Sequence, residues 1–381
     1  MPTLPVPLAA VVLSCALLAA CTGSDEPGAK ASGTATATAT TPEPSTGGSS
    51  TAPTSTPVVR ARVDRVVATG LRVPWGIAFL PDGSALVSER DSHRIKLVTP
   101  GGTVSTVGSV RGVISSGEGG LLGLALSPAY ESDKTLFAYF TAGRENVVAR
   151  MTYDGSGLAD ERIIFGGIPS GPIHDGGRIA FGPDGFLYIG TGEAGRRTPA
   201  QDPNDPGGKI LRITPEGDPA PGNPTEGSPV WSLGHRNVQG LAWDARGRMW
   251  ASEFGQNTWD ELNRIVPGGN YGWPDVEGRS GDDRFRNPVR EWRTDVASPS
   301  GIAVADGSVF MAALRGERLW QIPLLASGTG KPRALLTNRY GRLRAVALAP
   351  DGSLWVLTNN TDGRGSPRPG DDKIVRLTLT S

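Results

Sequence analysis

Cysteine is almost absent from this chain of 381 residues, which contains only two, Cys15 and Cys21, both near the N-terminus. Disulfide bonds therefore cannot hold together a domain that lies further along the chain. Net charge is absent as well, because 38 Lys and Arg residues balance 38 Asp and Glu residues. A neutral chain has no field to attract nucleic acid or a charged membrane surface, so no nucleic-acid partner is expected.

Long helical patterns are also missing from the sequence. No segment from Arg60 onward repeats its apolar residues with the 3.6-residue period of a helix, which disfavours an α/β fold. Glycine and proline are abundant instead, with 53 and 32 residues, and both are typical of turns. The composition predicts a loop-rich, all-β protein.

The N-terminal segment is expected to direct export. Its apolar run from Leu8 to Cys21 is too short to span a bilayer and ends in LAAC, which resembles the lipobox of bacterial lipoproteins. An ordinary secretory signal that happens to contain cysteine is the alternative. Residues 1–21 are thus predicted to be a lipoprotein signal with Cys21 lipidated, which would anchor the protein to membrane lipid on the outer face of the cell membrane. The Ser/Thr/Pro/Gly-rich residues 22–58 are predicted to be a disordered tether, and residues 59–381 the folded domain.

One pattern recurs six times in that domain. An apolar strand end meets a turn built on Pro-Asp-Gly, or a degenerate version of it, and an alternating strand follows. Proline presets φ in such a turn, aspartate hydrogen-bonds its own backbone, and glycine supplies the positive φ that closes a hairpin. The units begin at Phe79, Leu126, Phe181, Trp243, Ala303 and Leu348.

The spacing of these hairpins, roughly 45 to 62 residues, is that of propeller blades with insertions. A single amphipathic hairpin cannot bury its own faces, so the units must stack around an axis. The sequence therefore predicts an all-β, six-bladed β-propeller, with an irregular β-sandwich as the alternative. Ligand sites in propellers usually lie at one end of the central channel, where loops from several blades meet.

Several loops carry residues suited to chemistry at such a site. His174, in HDGGR, directly precedes a blade strand, although a lone histidine is more often structural. Arg342 and Arg344 are two apart on a predicted strand, so their side chains point the same way. Together with Arg236 they would form a cluster for a polycarboxylate or a phosphate, unless each is separately solvated.

Seven ordered motifs resemble the PQQ-dependent soluble glucose dehydrogenase and aldose sugar dehydrogenase family, also called glucose/sorbosone dehydrogenases. From about Val63 to the C-terminus they are GLRVPWGIAFLPDG, GEGGLLGLALSP, HDGGRIAFGPDG, DPNDPGGKILRITPEGDPAPGNP, GHRNVQGLAWD, GGNYGWP and YGRLRAV. The resemblance implies oxidation of an aldose sugar at C1 to the lactone, with hydride passing to pyrroloquinoline quinone (PQQ). A respiratory electron acceptor would be a further partner.

The same resemblance implies roles for individual residues. His174 matches the general base, an assignment suited to a group that titrates near neutrality. Gly255 and Gln256 match carbonyl ligands of the cofactor's Ca²⁺, and Glu261 and Tyr271 match a second calcium site. The positions matching cofactor contacts are Glu118, Arg236, Asn237, Arg315, Arg342 and Arg344.

Two of these positions differ from the family pattern. Glu118 stands where glutamine is common, and a carboxylate beside an anionic cofactor is repelled unless it is protonated or reaches the metal. Arg315 stands where lysine is usual. Two alternatives remain. One is a noncatalytic surface-binding propeller that has lost the cofactor; the other is a calcium-dependent propeller lactonase, which these loops favour less because they contain more arginine than such a site needs.

Overall fold

The computed structural model describes residues 59–380, and nearly all of their regular structure is β-strand. The strands form six antiparallel sheets of four strands each. The predicted signal (1–21), its Cys21 and the predicted tether (22–58) lie outside the described residues. Within residues 59–380, no helix is long and apolar enough to cross a membrane.

Each sheet is one blade, and in the first five blades the strands follow the chain from the inner edge to the outer edge. Two short helical segments, α1 (Tyr130–Asp133) and a 3₁₀ turn (Thr198–Gln201), lie in connections. The strands are β1 (Arg60–Ala68); in blade 1 β2 (Pro74–Phe79), β3 (Ala85–Glu89), β4 (Arg94–Val98) and β5 (Val104–Ser109); in blade 2 β6 (Leu121–Leu126), β7 (Thr135–Ala142), β8 (Glu145–Tyr153) and β9 (Leu158–Pro169); in blade 3 β10 (Arg178–Phe181), β11 (Leu187–Gly190), β12 (Lys209–Ile213) and β13 (Val230–Leu233); in blade 4 β14 (Val238–Trp243), β15 (Met249–Glu253), β16 (Trp259–Ile265) and β17 (Arg290–Arg293); in blade 5 β18 (Pro299–Ala305), β19 (Ser308–Ala313), β20 (Arg318–Pro323) and β21 (Arg333–Leu335); and in blade 6 β22 (Leu343–Leu348), β23 (Leu354–Thr358) and β24 (Ile374–Thr380).

The ring closes because the first strand completes the last blade. Strand β1 pairs antiparallel with β24, from Arg60 opposite Thr380 to Ala68 opposite Ile374. Inner strands of neighbouring blades contact one another all the way round, β2 with β6, β6 with β10, and so on back to β2. The predicted six-bladed β-propeller is confirmed.

The hydrophobic core is divided among the contacts between neighbouring blades. Six clusters of buried apolar side chains occur, one at each of the six contacts. Leu86 of blade 1 and Phe140 of blade 2, for example, are both buried in the first cluster. Burying such a side chain stabilises the fold by roughly 1.5–3 kcal/mol, so each blade depends on both of its neighbours.

The Pro-Asp-Gly turns have the geometry that the sequence predicts. In the turn between β2 and β3, Gly83 has φ 84° and the Asp82 carboxylate accepts the Ser84 N–H at 2.8 Å. These turns lie at the end of the channel at which the inner strands finish. The loops that lead into the inner strands therefore meet at the opposite end.

The six inner strands also share a sequence pattern. They read PWGIAF, LLGLAL, GGRIAF, VQGLAW, PSGIAV and LRAVAL, so their third positions form one layer across the channel. Five of the inner strands shift register near this position, and only β10 pairs without a shift. That layer consists of Gly76, Gly123, Arg178, Gly240, Gly301 and Ala345.

Candidate active site

A pocket of about 440 Å³ opens at the end of the channel where the inner strands begin. This volume lies within the range of small-molecule and cofactor sites. Cationic side chains outnumber anionic ones among the residues that line the pocket, so it favours an anionic ligand. The lining contains the guanidinium groups of Arg90, Arg236, Arg315, Arg342, Arg344 and Arg364, and the carboxyl groups of Glu118, Asp260 and Asp362.

His174 lies on the pocket wall and is only 7% exposed. Its Nδ1 is 2.5 Å from Oε1 of Glu193, which follows strand β11 in the same blade. An ionised carboxylate accepts a hydrogen bond, so this contact places the ring proton on Nδ1 and the free lone pair on Nε2. This arrangement leaves Nε2 as the ring nitrogen that could accept a proton from a ligand.

The backbone around His174 is built to hold it there. His174 has φ 62°, an uncommon left-handed conformation for a residue other than glycine. Its carbonyl accepts the N–H of Ala194, and a Cβ at Gly192 would lie 1.8 Å from the same oxygen. Only glycine fits at position 192, which explains one glycine of the GTGEAG segment.

Glu118 holds the same loop from the other side. Its Oε2 accepts the backbone N–H of His174 at 2.8 Å, and its Oε1 pairs with Arg364 at 2.5 Å. Burial opposes ionisation of Glu118, but the bond from His174 and the charge of Arg364 outweigh it and lower the pKa of this carboxyl. Arg364 thus offsets the repulsion that the sequence predicts between Glu118 and an anionic ligand.

Arg236 and Asn237 have different surroundings, although they are adjacent. The Arg236 guanidinium reaches the pocket, where it donates to the side-chain oxygen of Gln256 at 2.8 and 3.0 Å and lies over the Trp273 ring. Burial lowers the pKa of Arg236. Asn237 is fully buried behind the wall, where its Oδ1 accepts the N–H of Gly176 at 3.0 Å. It therefore supports the His174 loop.

Arg342 and Arg344 come together as their spacing predicts. Arg342 donates to Asp362 at 2.9 Å, and Arg344 lies 3.8 Å from the same carboxylate. Arg344 also donates to the amide oxygen of Gln239 at 2.7 Å and lies over the Trp75 ring. Asp362 thus neutralises part of the charge of the pair. Arg315, by contrast, is exposed at the pocket rim.

Gly255 and Gln256 line the pocket beside Asp260. Both oxygens of Asp260 already accept backbone N–H groups, those of Gly255 and Ser298. Within residues 59–380, no group of three or more His, Cys, Asp or Glu side chains is arranged to hold a metal ion. A cation at this point would depend on the two neutral carbonyls and on charged oxygens of a bound ligand.

Glu261 and Tyr271 line a separate, much smaller cavity together with Glu253. About 10 Å³ of it is open to the centre of a water molecule, which is room for one water or ion. Burial and the neighbouring Glu253 raise the pKa of Glu261 to about 8. The Tyr271 hydroxyl is occupied by Arg264 and Val266, so its carbonyl is the ligand that it could offer.

Sequence reasoning missed several residues of this site. The position of Glu193 could have indicated its role, because it follows the hairpin that His174 precedes. Asp362 and Arg364 come from the loop between β23 and β24, which shows no motif and reaches the pocket only through folding. Further examples are Trp75, Arg90, Gln239 and Asp260.

Comparison with known proteins agrees with this architecture. Residues 71–375 match the family model for glucose/sorbosone dehydrogenases. The solved PQQ-bound aldose sugar dehydrogenase of Streptomyces coelicolor is 56% identical, with a TM-score of 0.83 over 85% of this chain and 99% of that chain.

Two further relatives are also dehydrogenases of sugars by name. The aldose sugar dehydrogenase of Escherichia coli is 29% identical over 77% of this chain and 90% of its own length. The quinoprotein glucose dehydrogenase B of Acinetobacter calcoaceticus is 32% identical over 58% of this chain and 54% of its own length. The chain belongs to the glucose/sorbosone dehydrogenase family of oxidoreductases.

Proposed function

We propose that this protein oxidises an aldose sugar at C1 to the lactone, with PQQ bound in the pocket as the hydride acceptor. The observation that carries the proposal is the His174 imidazole, which Glu193 orients at the wall of an arginine-lined pocket. The PQQ-bound relative at 56% identity supports the choice of cofactor.

The residues present fit this cofactor. PQQ is a flat tricarboxylate, and the six arginines of the lining less its own three carboxyl groups leave three positive charges, one for each carboxylate of PQQ. Arg236, Arg342 and Arg344 would hold the carboxylates and the quinone edge, and the exposed Arg315 would contribute a weaker contact at the rim. Bound there, the quinone would supply the hydride acceptor that no amino-acid side chain provides.

His174 would act on the sugar hydroxyl. With its Nδ1–H donated to Glu193, Nε2 is free to take the proton of the C1 hydroxyl as hydride leaves C1. The carbon–oxygen single bond at C1 becomes the carbonyl of the lactone, and the proton remains on His174 until it passes to solvent. Glu193 stabilises the imidazolium formed in this step, which makes it a positioning residue.

Calcium is part of the proposal. The carbonyls of Gly255 and Gln256 would hold one Ca²⁺ beside the cofactor, in a site that needs the cofactor's own anionic oxygens to be complete. Glu261 and the Tyr271 carbonyl would hold a second ion in the small cavity, where the charge of a cation would relieve the carboxyl pair. We assign the first ion to the chemistry and the second to stability.

Reconstitution tests the proposed function directly. The purified protein, titrated with PQQ and Ca²⁺, should bind the quinone with a change in its absorbance and should then reduce a redox dye when an aldose is added. Calcium alone should give no dye reduction. Quinone binding without turnover on a panel of aldoses would favour a noncatalytic role, and absence of binding would contradict the cofactor assignment.

We further propose that the protein works outside the cytoplasm, held on the outer face of the membrane by lipid on Cys21, where it would pass electrons to a respiratory acceptor. The lipobox-like LAAC motif is the basis for this. Cys21→Ser should move the protein from the membrane fraction to the soluble fraction, or leave it uncleaved, as judged by fractionation and mass. Identical partition of both forms would contradict the anchor.

A further inference from the structure

Arg178 is a lone large side chain in a layer of small ones. At the equivalent position of the other five inner strands the chain has glycine or alanine, as described above. A Cβ added at Gly301 would lie 3.2 Å from Nη2 of Arg178, so the guanidinium reaches across the channel from blade 3 to blade 5. The small residues make the room that one arginine occupies.

Among the described residues 59–380, the charge of this arginine has no counterion. Arg178 is 8% exposed, and its Nε donates to the Gln239 carbonyl at 2.8 Å. Its Nη2 has no hydrogen-bond partner, and among residues 59–380 Arg178 forms no salt bridge. Burial lowers the pKa of the guanidinium to about 9, so it remains charged at neutral pH. An unpaired buried cation is costly, which makes an anion a favourable partner.

A second cavity lies directly on the far side of this arginine from the active site. We name it the lower cavity; it has a volume of about 520 Å³ and is enclosed by the second halves of the six inner strands. Of the residues that line it, Arg178 alone is charged. One large apolar side chain from each blade surrounds its opening: Phe79, Leu126, Phe181, Trp243, Val304 and Leu348.

The lower cavity and the active site are separated by packed side chains. The Trp75 ring lines the active-site pocket, and the Arg178 guanidinium stacks on that ring at 4.3 Å from its centroid. Arg178 itself lines the lower cavity and is not part of the active-site lining. A ligand in the lower cavity would therefore be distinct from the sugar and the quinone.

We propose that the lower cavity binds a monocarboxylate with an unbranched apolar tail, with its carboxylate on Arg178 and its tail between the inner strands. The single guanidinium matches one carboxylate in charge, and a carboxylate oxygen is a strong acceptor for a guanidinium N–H group. A neutral apolar molecule would leave the guanidinium unpaired, and a multiply charged anion would meet no second cation in the lining. This inference does not rest on the proposed function.

Calorimetric titration with decanoate, kept below its micelle concentration, tests the proposal. The protein used is residues 59–381, because 85% of this chain matches 99% of the Streptomyces relative, which was solved as a folded chain. Decanoate should bind, hexanoate more weakly by about threefold to fourfold for each CH₂ removed, and acetate not measurably. Equal binding of decyltrimethylammonium would indicate nonspecific hydrophobic association and overturn the proposal.

Three variants locate the ligand. Arg178→Met should weaken decanoate binding at least tenfold, and Leu348→Asp, at the exposed rim of the cavity, should do the same without disturbing the core. Leu325→Asp is the matched control, because Leu325 is similarly exposed but lies outside the cavity. Arg342→Ala should leave decanoate affinity unchanged. Loss of binding in Arg342→Ala but not in Leu348→Asp would place the ligand in the active site and contradict the proposal.

Discussion

Replacing His174 with alanine is expected to lower turnover of the reconstituted enzyme by about 10² to 10⁴, the usual contribution of a positioned general base. Quinone affinity should stay nearly unchanged, because the imidazole is held by Glu193 rather than by the arginines that would bind the carboxylates. The measurement is steady-state dye reduction with saturating PQQ, beside a quinone titration of the same variant.

His235 provides a matched control within the same chain. This second histidine is fully buried, contacts Ser232 and Glu253 through its two ring nitrogens, and stacks on Tyr271. His235→Ala should therefore lower the melting temperature, with activity falling only as far as the protein unfolds. If His174→Ala gave the same pattern, with lost stability and retained turnover per folded molecule, His174 would be structural.

Glu193 supplies a finer test of the same step. Glu193→Gln keeps the size of the side chain but removes the charge that stabilises the imidazolium, so its turnover should lie between those of the wild type and His174→Ala. The double variant should be no slower than His174→Ala alone, because Glu193 acts through the histidine. Additive losses would mean that Glu193 has a separate role.

The sequence predicted the fold because the information that specifies it is local. A Pro-Asp-Gly turn needs only a few neighbouring residues, and Asp82 and Gly83 adopt in the structure the roles that their residue types imply. Six such turns at blade spacing left few alternatives to a propeller. The apolar alternation of each strand then determined which side chains would be buried between blades.

The site was predicted only in part, because its contacts join residues far apart in the chain. The sequence predicts repulsion between Glu118 and an anionic ligand, whereas the partner that neutralises it in the structure, Arg364, is 246 residues away. Asp362, which offsets the charge of Arg342, comes from a loop without a motif. Asn237 is predicted to contact the cofactor; in the structure its side chain is fully buried, with Oδ1 bonded to Gly176 and Nδ2 without a partner among residues 59–380. Sequence patterns identify residue types in loops, whereas the depth of each side chain depends on packing.

The arginines of the pocket carry the same charge but differ in burial and in hydrogen-bond partners. Their replacement should therefore affect PQQ binding to different extents. Arg236 is 7% exposed, and its closest partner is the neutral Gln256 amide, so its charge is weakly screened by solvent. Nearby carboxylates attract it, but among residues 59–380 none forms a salt bridge with it. Arg315 is exposed, where water and salt screen its charge. Arg342 already shares its charge with Asp362. A bound carboxylate should therefore gain most from Arg236.

Arg236→Ala is accordingly expected to weaken PQQ binding by about 1.5–3 kcal/mol, the range for a hydrogen bond to a charged group, which is roughly 10- to 150-fold in Kd. Arg315→Ala, the matched control at the rim, should change Kd by less than about fivefold, since exposed ion pairs contribute about 0–1 kcal/mol. At saturating quinone both variants should keep near-normal turnover, because neither residue contacts His174.

Absorbance titration at two salt concentrations distinguishes the two arginines. The contribution of Arg315 to PQQ binding should vanish at high salt, whereas most of the contribution of Arg236 should remain. Equal losses in the two variants would show that the pocket acts only through its total charge, and an unchanged Kd in Arg236→Ala would remove this arginine from the cofactor site.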